Sequence, residues 1–292
     1  MDTVIVRLMG GLGNQMFQYA FGTYIAHKNN AELFFDTTFL DANIKGIVKR
    51  NFDLDIFGIE KKIISNEILS DYFRYGTTPI NKLNNFLNKK VFNKIAYNTD
   101  PHNFNPKYLN IDKNVYLYGQ WGSYKYFEAI NDIIKAEFTI TSSHLSNVQY
   151  MRQKITGTNS VCINVRRADF VNNSYHVLLG MDYYIKCIEY MNTVVANPTY
   201  FIFSDDIEWC ENNFSFLNNV VFVTHEYAGK KFSSYLQLMI NCKHYIIPNS
   251  TFAWWAVWLN KGKDKIVIAP NKWYTYYQFN LNDLIPSTWI TL

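Results

Sequence analysis

The most informative stretch of the sequence is Val161-Cys162-Ile163-Asn164-Val165-Arg166-Arg167-Ala168-Asp169-Phe170. It begins as a short apolar run rich in β-branched residues, a pattern that predicts a buried strand. It ends with two adjacent arginines, and an aspartate stands three residues after the first of them. In a parallel α/β sheet, ligands bind just outside the carboxyl ends of the strands. The stretch therefore predicts a strand that leads directly into a binding site.

The two arginines admit two interpretations. Guanidinium groups are planar forks that match phosphate oxygens, and Asp169 is spaced to hold one of them in place. Alternatively, the three residues form an ordinary surface salt bridge after a strand, since isolated pairs of this kind are common. Spacing alone leaves both interpretations open.

The same alternation of strand and helix continues on both sides. Apolar strands are predicted at 161–165, 200–203, 220–224, 244–247 and 265–269, with helices at 181–192, 207–213, 232–241 and 251–259. The amino terminus reads as a strand at 3–8, a tight turn at 10–15, a helix at 16–27 and a strand at 32–36. Further on, a strand at 115–118 precedes a helix at 125–137. This alternation favours parallel, doubly wound sheets. We expect two Rossmann-like domains facing a cleft, at 1–157 and 158–292, with acceptor specificity in 43–157.

Composition excludes several classes of protein. The chain has 292 residues, of which 48% are hydrophobic, so each half can bury a core. A net charge of +4 without a dense basic face argues against nucleic-acid binding. No apolar run reaches the roughly 18 residues of a membrane span, and no signal peptide is recognisable. We expect a protein that is cytoplasmic or bound peripherally to the inner face of the membrane. We also expect its four cysteines to be reduced.

The amino-terminal turn partly resembles a dinucleotide fingerprint. Gly11 and Gly13 have the required spacing, and Asp36 closes the second strand. The position of the third glycine holds Met16, which would block close packing of helix on strand. An NAD-binding interpretation is therefore weak.

Two more predicted strand ends carry polar clusters. Ser204-Asp205-Asp206 follows one strand, and Asn249-Ser250-Thr251 precedes the helix that begins near Phe252. Both clusters contain good helix N-caps, so capping alone would explain them. Together with the arginines, however, they predict a pocket in which a helix N-terminus and cations hold a diphosphate. The absence of a G-x-x-x-x-G-K-[ST] loop favours a nucleotide-sugar over an ATPase site, and no cluster has metal-ligand spacing.

These motifs resemble glycosyltransferase family 11, the α-1,2-fucosyltransferases. Gly10 to Gln18 (GGLGNQMFQ) resembles the amino-terminal motif, and Asn164 to Phe170 resembles H-x-R-R-x-D. Two stretches resemble later motifs of the family: Phe203 to Asp206 and Asn249 to Trp255. A further segment of the family is resembled by Gly119-Gln120-Trp121 with Tyr126-Phe127. The matches occur in family order over nearly the whole chain.

The resemblance implies a GT-B fold and inverting transfer of L-fucose from GDP-fucose to the 2-hydroxyl of a terminal β-galactoside. The acceptor would be a glycan such as an O-antigen, lipid-linked in some pathways, and no metal or cofactor is expected. Another nucleotide-linked deoxyhexose as donor, or a non-catalytic sugar- or nucleotide-binding protein, remains an alternative. Oligomeric state is not predicted.

The resemblance also assigns roles to residues. Arg166 and Asp169 are expected to be catalytic: Arg166 contacts the β-phosphate of GDP, and Asp169 supports Arg166. The expected donor-binding residues are Asn164, Arg167, Ser204, Asp205, Asp206, Asn249, Ser250, Thr251 and Phe252. Gly11, Gly13, Asn14 and Gln15 are expected to face the transferred sugar and the acceptor. The chain departs from the family at Asn164, where the usual residue is His, and at Ala168, where it is Gly. Since asparagine cannot titrate near neutrality, we expect an orienting role there.

Overall fold

A computed structural model of the chain describes residues 2–42, 49–145, 148–171 and 173–292. The chain divides into two compact units, Met1–Thr139 and Ile140–Leu292. The sequence-based boundary at 157 assigns the helix Val148–Thr156 to the first half, but this helix packs against Asn159–Val165 and Ser233–Ile240 of the second unit. In the segment expected to select the acceptor, residues 43–48 and 146–147 lie outside the described ranges.

The first unit contains a four-stranded parallel sheet. Its elements are β1 (Thr3–Arg7), α1 (Leu12–Asn29), β2 (Glu32–Asp36), α2 (Thr38–Asp41), α3 (Asn66–Ser70), α4 (Pro79–Lys90), β3 (Ile95–Tyr97), β4 (Val115–Tyr118) and α5 (Asn131–Glu137). The strand order is β2-β1-β4-β3. Strand β3, only three residues long, has too short an apolar run to be recognised in the sequence.

Two helices of this unit differ from the prediction. Helix α1 begins at Leu12, so that the expected turn is confined to Gly10 and Gly11. Gly10 has φ +77°, and a Cβ atom there would lie 2.5 Å from Asn14 Nδ2, so only glycine fits this turn. The predicted helix at 125–137 is instead two short 3-10 turns followed by α5, because Phe127, with φ −133° and ψ 7°, interrupts the helical backbone.

The second unit contains a six-stranded parallel sheet. Its elements are α6 (Val148–Thr156), β5 (Asn159–Val165), α7 (Met181–Val194), β6 (Pro198–Ser204), α8 (Ile207–Asn213), β7 (Val220–Val223), α9 (Ser233–Ile240), β8 (His244–Ile246), α10 (Thr251–Leu259), β9 (Val267–Ala269) and β10 (Ile290–Thr291). The order is β10-β9-β8-β5-β6-β7. The five strands predicted for this half are confirmed, and the short edge strand β10 was not predicted.

Strand β5 occupies the middle of this sheet, between β6 and β8. Six of its seven residues are buried, as its β-branched run predicts. The register pairs Val165 with Ser204, so the residues that follow β5 and β6 emerge side by side. The loops after β5, β6 and β8 therefore share one edge of the sheet, where α/β proteins bind ligands. Within the described ranges, no helix is long and apolar enough to cross a bilayer.

Candidate active site

Arg166 is held between two carboxylates at the carboxyl end of β5. Its Nη2 lies 2.6 Å from Asp169 Oδ1, and its Nη1 lies 2.8 Å from Asp205 Oδ2. The aromatic ring of Phe170 lies on one side of the guanidinium, 5.7 Å from its central carbon. About 30% of the arginine side chain stays exposed. Two carboxylates and a ring thus fix the orientation of a fork that still reaches solvent.

Arg167 is anchored separately. Its backbone N–H donates to Asp205 Oδ1 at 2.9 Å, and its Nε donates to Asp206 Oδ2 at 3.1 Å. The guanidinium also lies over the Trp209 ring, 4.0 Å from its centroid, which is a cation–π contact. Asp205 consequently ties both arginines to the end of β6. The two arginines and the three aspartates therefore form one network, and not the isolated surface salt bridge of the alternative interpretation.

The Ser204-Asp205-Asp206 cluster does cap α8, as the alternative interpretation expected. Asp206 Oδ1 accepts from the Trp209 N–H, and Ser204 Oγ accepts from the Asp206 N–H at 2.9 Å. Capping and arginine binding therefore coexist. Because Asp205 and Asp206 are engaged with arginines, direct contact of either carboxylate with a nucleotide stays a prediction.

The loop between β8 and α10 brings the third cluster to the same edge. Ser250 caps α10, and both Ser250 and Thr251 are half-buried at the helix N-terminus. No acidic residue lies in the first turn of α10. Asn249 is buried, and its Nδ2 donates to the carbonyl oxygens of Val177 and Trp273 at 3.1 and 2.6 Å. Asn249 thus holds neighbouring loops, and the half-buried Phe252 follows Ser250 and Thr251 in the first turn of α10. Contact of these four residues with a donor stays a prediction.

Asn164 is hydrogen-bonded within the sheet, and its predicted contact with the donor stays a prediction. The residue is 8% exposed, and its Nδ2 donates to the Phe203 carbonyl oxygen at 3.1 Å across the β5–β6 pair. Its own carbonyl oxygen accepts from Tyr184. The amide thereby ties the ends of the two strands that supply Arg166 and Asp205.

His176 was missed by sequence reasoning. Its ring stacks on Phe170 with centroids 4.3 Å apart and planes at 8°, and so supports the ring beside Arg166. Burial lowers the pKa of His176; the Arg166 charge also lowers it, and Asp169 acts in the opposite direction. Nothing in the loop sequence distinguishes this histidine. Trp209, by contrast, could have been found, because it stands one helical turn after Asp206.

In the first unit, Gln15 is a structural residue. It is fully buried, its Nε2 donates to the carbonyl oxygens of Gly10 and Asn51 at 3.0 and 2.7 Å, and its Oε1 accepts from the Asp53 N–H at 2.9 Å. These bonds attach residues 51–53 to the start of α1. The Gln15 amide is thus occupied by backbone groups, and its predicted contact with a sugar stays a prediction.

The other glycine-motif residues differ from Gln15 in exposure. Gly11 and Asn14 are half-buried, whereas Gly13 is buried. The Arg50 guanidinium, which sequence reasoning did not select, lies 3.9 Å from where a Cβ atom of Gly11 would be. A cation therefore lies beside the half-buried Gly11.

Asp36 is unsuited to the ribose-binding role of a dinucleotide fingerprint. It is 2% exposed, and its carboxylate accepts hydrogen bonds from Tyr116 at 2.6 Å, from Tyr75 and from the Thr38 N–H at 3.0 Å. Burial together with the Asp36 charge raises the pKa of Tyr75 to about 12. Met16, at the position of the third glycine, is fully buried.

The second-unit network combines two arginines with three aspartates. The oriented guanidinium groups lie at the same sheet edge as the N-terminus of α10, and binding of a diphosphate there stays a prediction. Among the described residues, no three His, Cys, Asp or Glu side chains group as metal ligands do. Independence from metal stays a prediction.

Comparison with known proteins identifies the fold. The chain is similar to the crystal structure of NodZ α-1,6-fucosyltransferase co-crystallised with GDP, with a TM-score of 0.50, 14% sequence identity, and coverage of 88% of this chain and 91% of that chain. Its two parallel-sheet units form an α/β fold of the GT-B type.

Sequence relatives identify the class and the family. The chain is 32% identical over 305 residues to an α-1,2-colitosyltransferase of Escherichia coli, covering 100% of this chain and 99% of that protein. It is also 32% identical over 314 residues to the O-antigen biosynthesis glycosyltransferase WbnK of Escherichia coli, with coverage of 98% and 99%. Fold and relatives together define a glycosyltransferase. The chain belongs to glycosyl transferase family 11, whose model matches residues 3–292.

Proposed function

We propose that this glycosyltransferase transfers L-fucose from GDP-fucose to the 2-hydroxyl of a terminal β-galactose, with inversion at the anomeric carbon. The acceptor is a glycan such as an O-antigen, reached at the inner face of the membrane when it is lipid-linked. The observation that carries the proposal is Arg166, fixed between Asp169 and Asp205 with about 30% of its side chain exposed at the carboxyl end of β5. Membership of family 11 supports the linkage and the donor class.

In this proposal the enzyme accelerates the reaction by stabilising negative charge on GDP, the leaving group. As the bond between the sugar and GDP breaks, negative charge grows on the β-phosphate, and the sugar acquires oxocarbenium character. A guanidinium that is already oriented stabilises this charge without reorganising, and such preorganised groups are usually the largest catalytic term. The N-terminus of α10, where Ser250 and Thr251 lie, adds backbone N–H groups on the same sheet edge.

The acceptor hydroxyl must also lose a proton. Asn164 cannot take it, since an amide does not titrate near neutrality. Asp169 is paired with Arg166 at 2.6 Å, so we assign it a positioning role and assign proton acceptance to a phosphate oxygen of the donor. An Asp169→Asn variant distinguishes the two roles: loss of kcat with the acidic limb of the pH–rate profile unchanged supports positioning, whereas loss of that limb makes Asp169 the base.

A second donor is favoured by one observation. One of the two full-length relatives at 32% identity is named an α-1,2-colitosyltransferase. The same Arg166 clamp would serve any GDP-linked deoxyhexose, because it acts on the diphosphate and not on the sugar.

The deciding experiment is an incubation of the purified protein with GDP-fucose or GDP-colitose and a β-galactoside set that includes lactose. Product formation is followed by released GDP and the linkage by NMR. An α-1,2-linked fucosyl product supports the proposal, and turnover with GDP-colitose alone supports the second donor. GDP binding without transfer or hydrolysis of either donor would indicate a non-catalytic binding protein.

A further inference from the structure

Helix α4 packs on the first unit through its polar face. Asn81 Nδ2 donates to the Tyr75 carbonyl oxygen at 2.6 Å. Asn88 Nδ2 donates to the carbonyl oxygens of Asp71 and Tyr72 at 3.0 and 2.6 Å, and Asn88 is only 4% exposed. Asn85, between them in sequence, exchanges two hydrogen bonds with the backbone of residue 74 at 2.9 and 2.8 Å. Asparagines spaced by three or four residues thus face the protein.

The apolar face of α4 consequently points into solvent. Ile80, Leu83 and Phe86 are 71%, 59% and 57% exposed, and Val91 and Phe92, directly after the helix, are 58% and 59% exposed. A surface helix of a globular protein normally buries its apolar stripe against the core. Here the arrangement is reversed, and the apolar stripe contributes little to holding the helix on the unit.

The helix has local features that stabilise it without apolar burial. The Thr78 side chain accepts from the Asn81 N–H as N-cap, and Pro79 occupies the first turn, where proline is favoured. Lys89 and Lys90 lie in the last turn, where cations complement the helix dipole. The exposed apolar residues therefore sit on an ordered scaffold.

The charged side chains of residues 72–99 are all basic. Between Asp71 and Asp100 the chain contains Arg74, Lys82, Lys89, Lys90 and Lys94 and no Asp or Glu. Lys82 and Lys90 are exposed beside the apolar stripe. A basic helix with one exposed apolar face is the pattern of helices that lie in the interface of a membrane containing anionic lipid.

We infer that the α4 surface, defined as residues 80, 82, 83, 86 and 90–92, docks the protein on an anionic lipid bilayer. Ile80, Leu83 and Phe86 enter the headgroup region, and the lysines pair with lipid phosphates. A two-fold contact with a second copy is disfavoured, because an isologous interface would place the lysines of one α4 against those of the other. The inference goes beyond the proposed reaction and does not depend on the identity of the donor.

The test is flotation of the whole protein with vesicles of phosphatidylcholine alone or mixed with phosphatidylglycerol. We expect binding to the mixed vesicles only, lowered by salt. The triple variant Ile80→Asn, Leu83→Asn, Phe86→Asn should lower partitioning on the order of 100-fold or more, since each replaced side chain would otherwise be buried in lipid. Lys82→Gln with Lys90→Gln should lower it about fivefold per lysine.

Matched controls replace exposed residues of the second unit: Phe216→Asn, at a side chain that is 53% exposed, and Lys186→Gln. Both should bind vesicles as the wild type does, and circular dichroism should show that all variants keep the fold. Absence of wild-type binding to the mixed vesicles overturns the inference. So does undiminished binding of the triple variant, or a dimer in solution that the triple variant dissociates while lipid binding is absent.

Discussion

Replacing Arg166 by lysine tests whether the guanidinium binds phosphate during catalysis or only stabilises the fold through its ion pairs. A guanidinium has five N–H donors. Two of them are used on Asp169 and Asp205, which leaves three for phosphate oxygens in a planar arrangement. Lysine has three donors on one atom, so keeping both carboxylate contacts leaves it one donor and no fork.

The expected size of the effect differs between catalysis and stability. Loss of one preorganised contact to a developing anion costs on the order of 100-fold to 1,000-fold in kcat. Arg166 and Asp169 are about 30% exposed and Asp205 is 13% exposed, and lysine keeps a positive charge between the two carboxylates. The substitution should therefore change the free energy of unfolding by only about 1 kcal/mol. Arg166→Lys should therefore be a stable protein with severely reduced turnover.

The assay measures GDP release under saturating donor and acceptor, with the thermal midpoint recorded on the same samples. Arg152→Lys, at an exposed position of α6, is the matched control and should keep wild-type kcat. Turnover by Arg166→Lys within a few-fold of the wild type would refute bidentate phosphate recognition. A large fall in the thermal midpoint would instead make Arg166 a structural residue.

Three further predictions concern neighbouring groups. Asp205→Asn keeps an acceptor for the N–H of residue 167 but removes the charge facing Arg166, so steady-state kinetics should show kcat reduced roughly tenfold or more; an unchanged kcat would contradict this. Gln15→Leu removes three hydrogen bonds to backbone groups of residues 10, 51 and 53, and urea titration should show a free energy of unfolding lower by about 1–3 kcal/mol; a wild-type midpoint would show that the amide is dispensable. The lowered pKa of His176 means that the unfolded chain binds more protons just below pH 6.5, so stability should fall on acidification through that range. Melting curves of His176→Phe should lack this component, and an identical pH dependence in both proteins would exclude His176 as its source.

Much of the second unit could be predicted because its signals are local. Each strand is a short apolar run followed by polar residues, and parallel strands with helical crossovers are the common solution for that alternation. The strands that escaped prediction, β3 and β10, have three and two residues, too few to show a period. The predicted helix at 125–137 is longer than α5, because the sequence pattern does not show that the backbone leaves the helical region at Phe127.

The sequence predicted which residues would lie near the candidate site, but not which of them contact each other. Arg166 and Asp205 were both selected as strand-end residues, yet their salt bridge depends on the β5–β6 register that sets Val165 opposite Ser204. The support of Phe170 by His176 depends on the path of a loop and has no sequence signal.

The sequence by itself determined the alternating α/β architecture, the arginine pair at a strand end and the family, because these follow from short-range patterns. Only the tertiary structure decided which carboxylates hold Arg166, that the Gln15 amide binds backbone, and that α4 turns its asparagines inward and its apolar residues outward. Periodicity shows that a helix has two faces, but which face meets the protein depends on hydrogen-bond partners distant in sequence, such as the carbonyl oxygen of Tyr72 that receives Asn88.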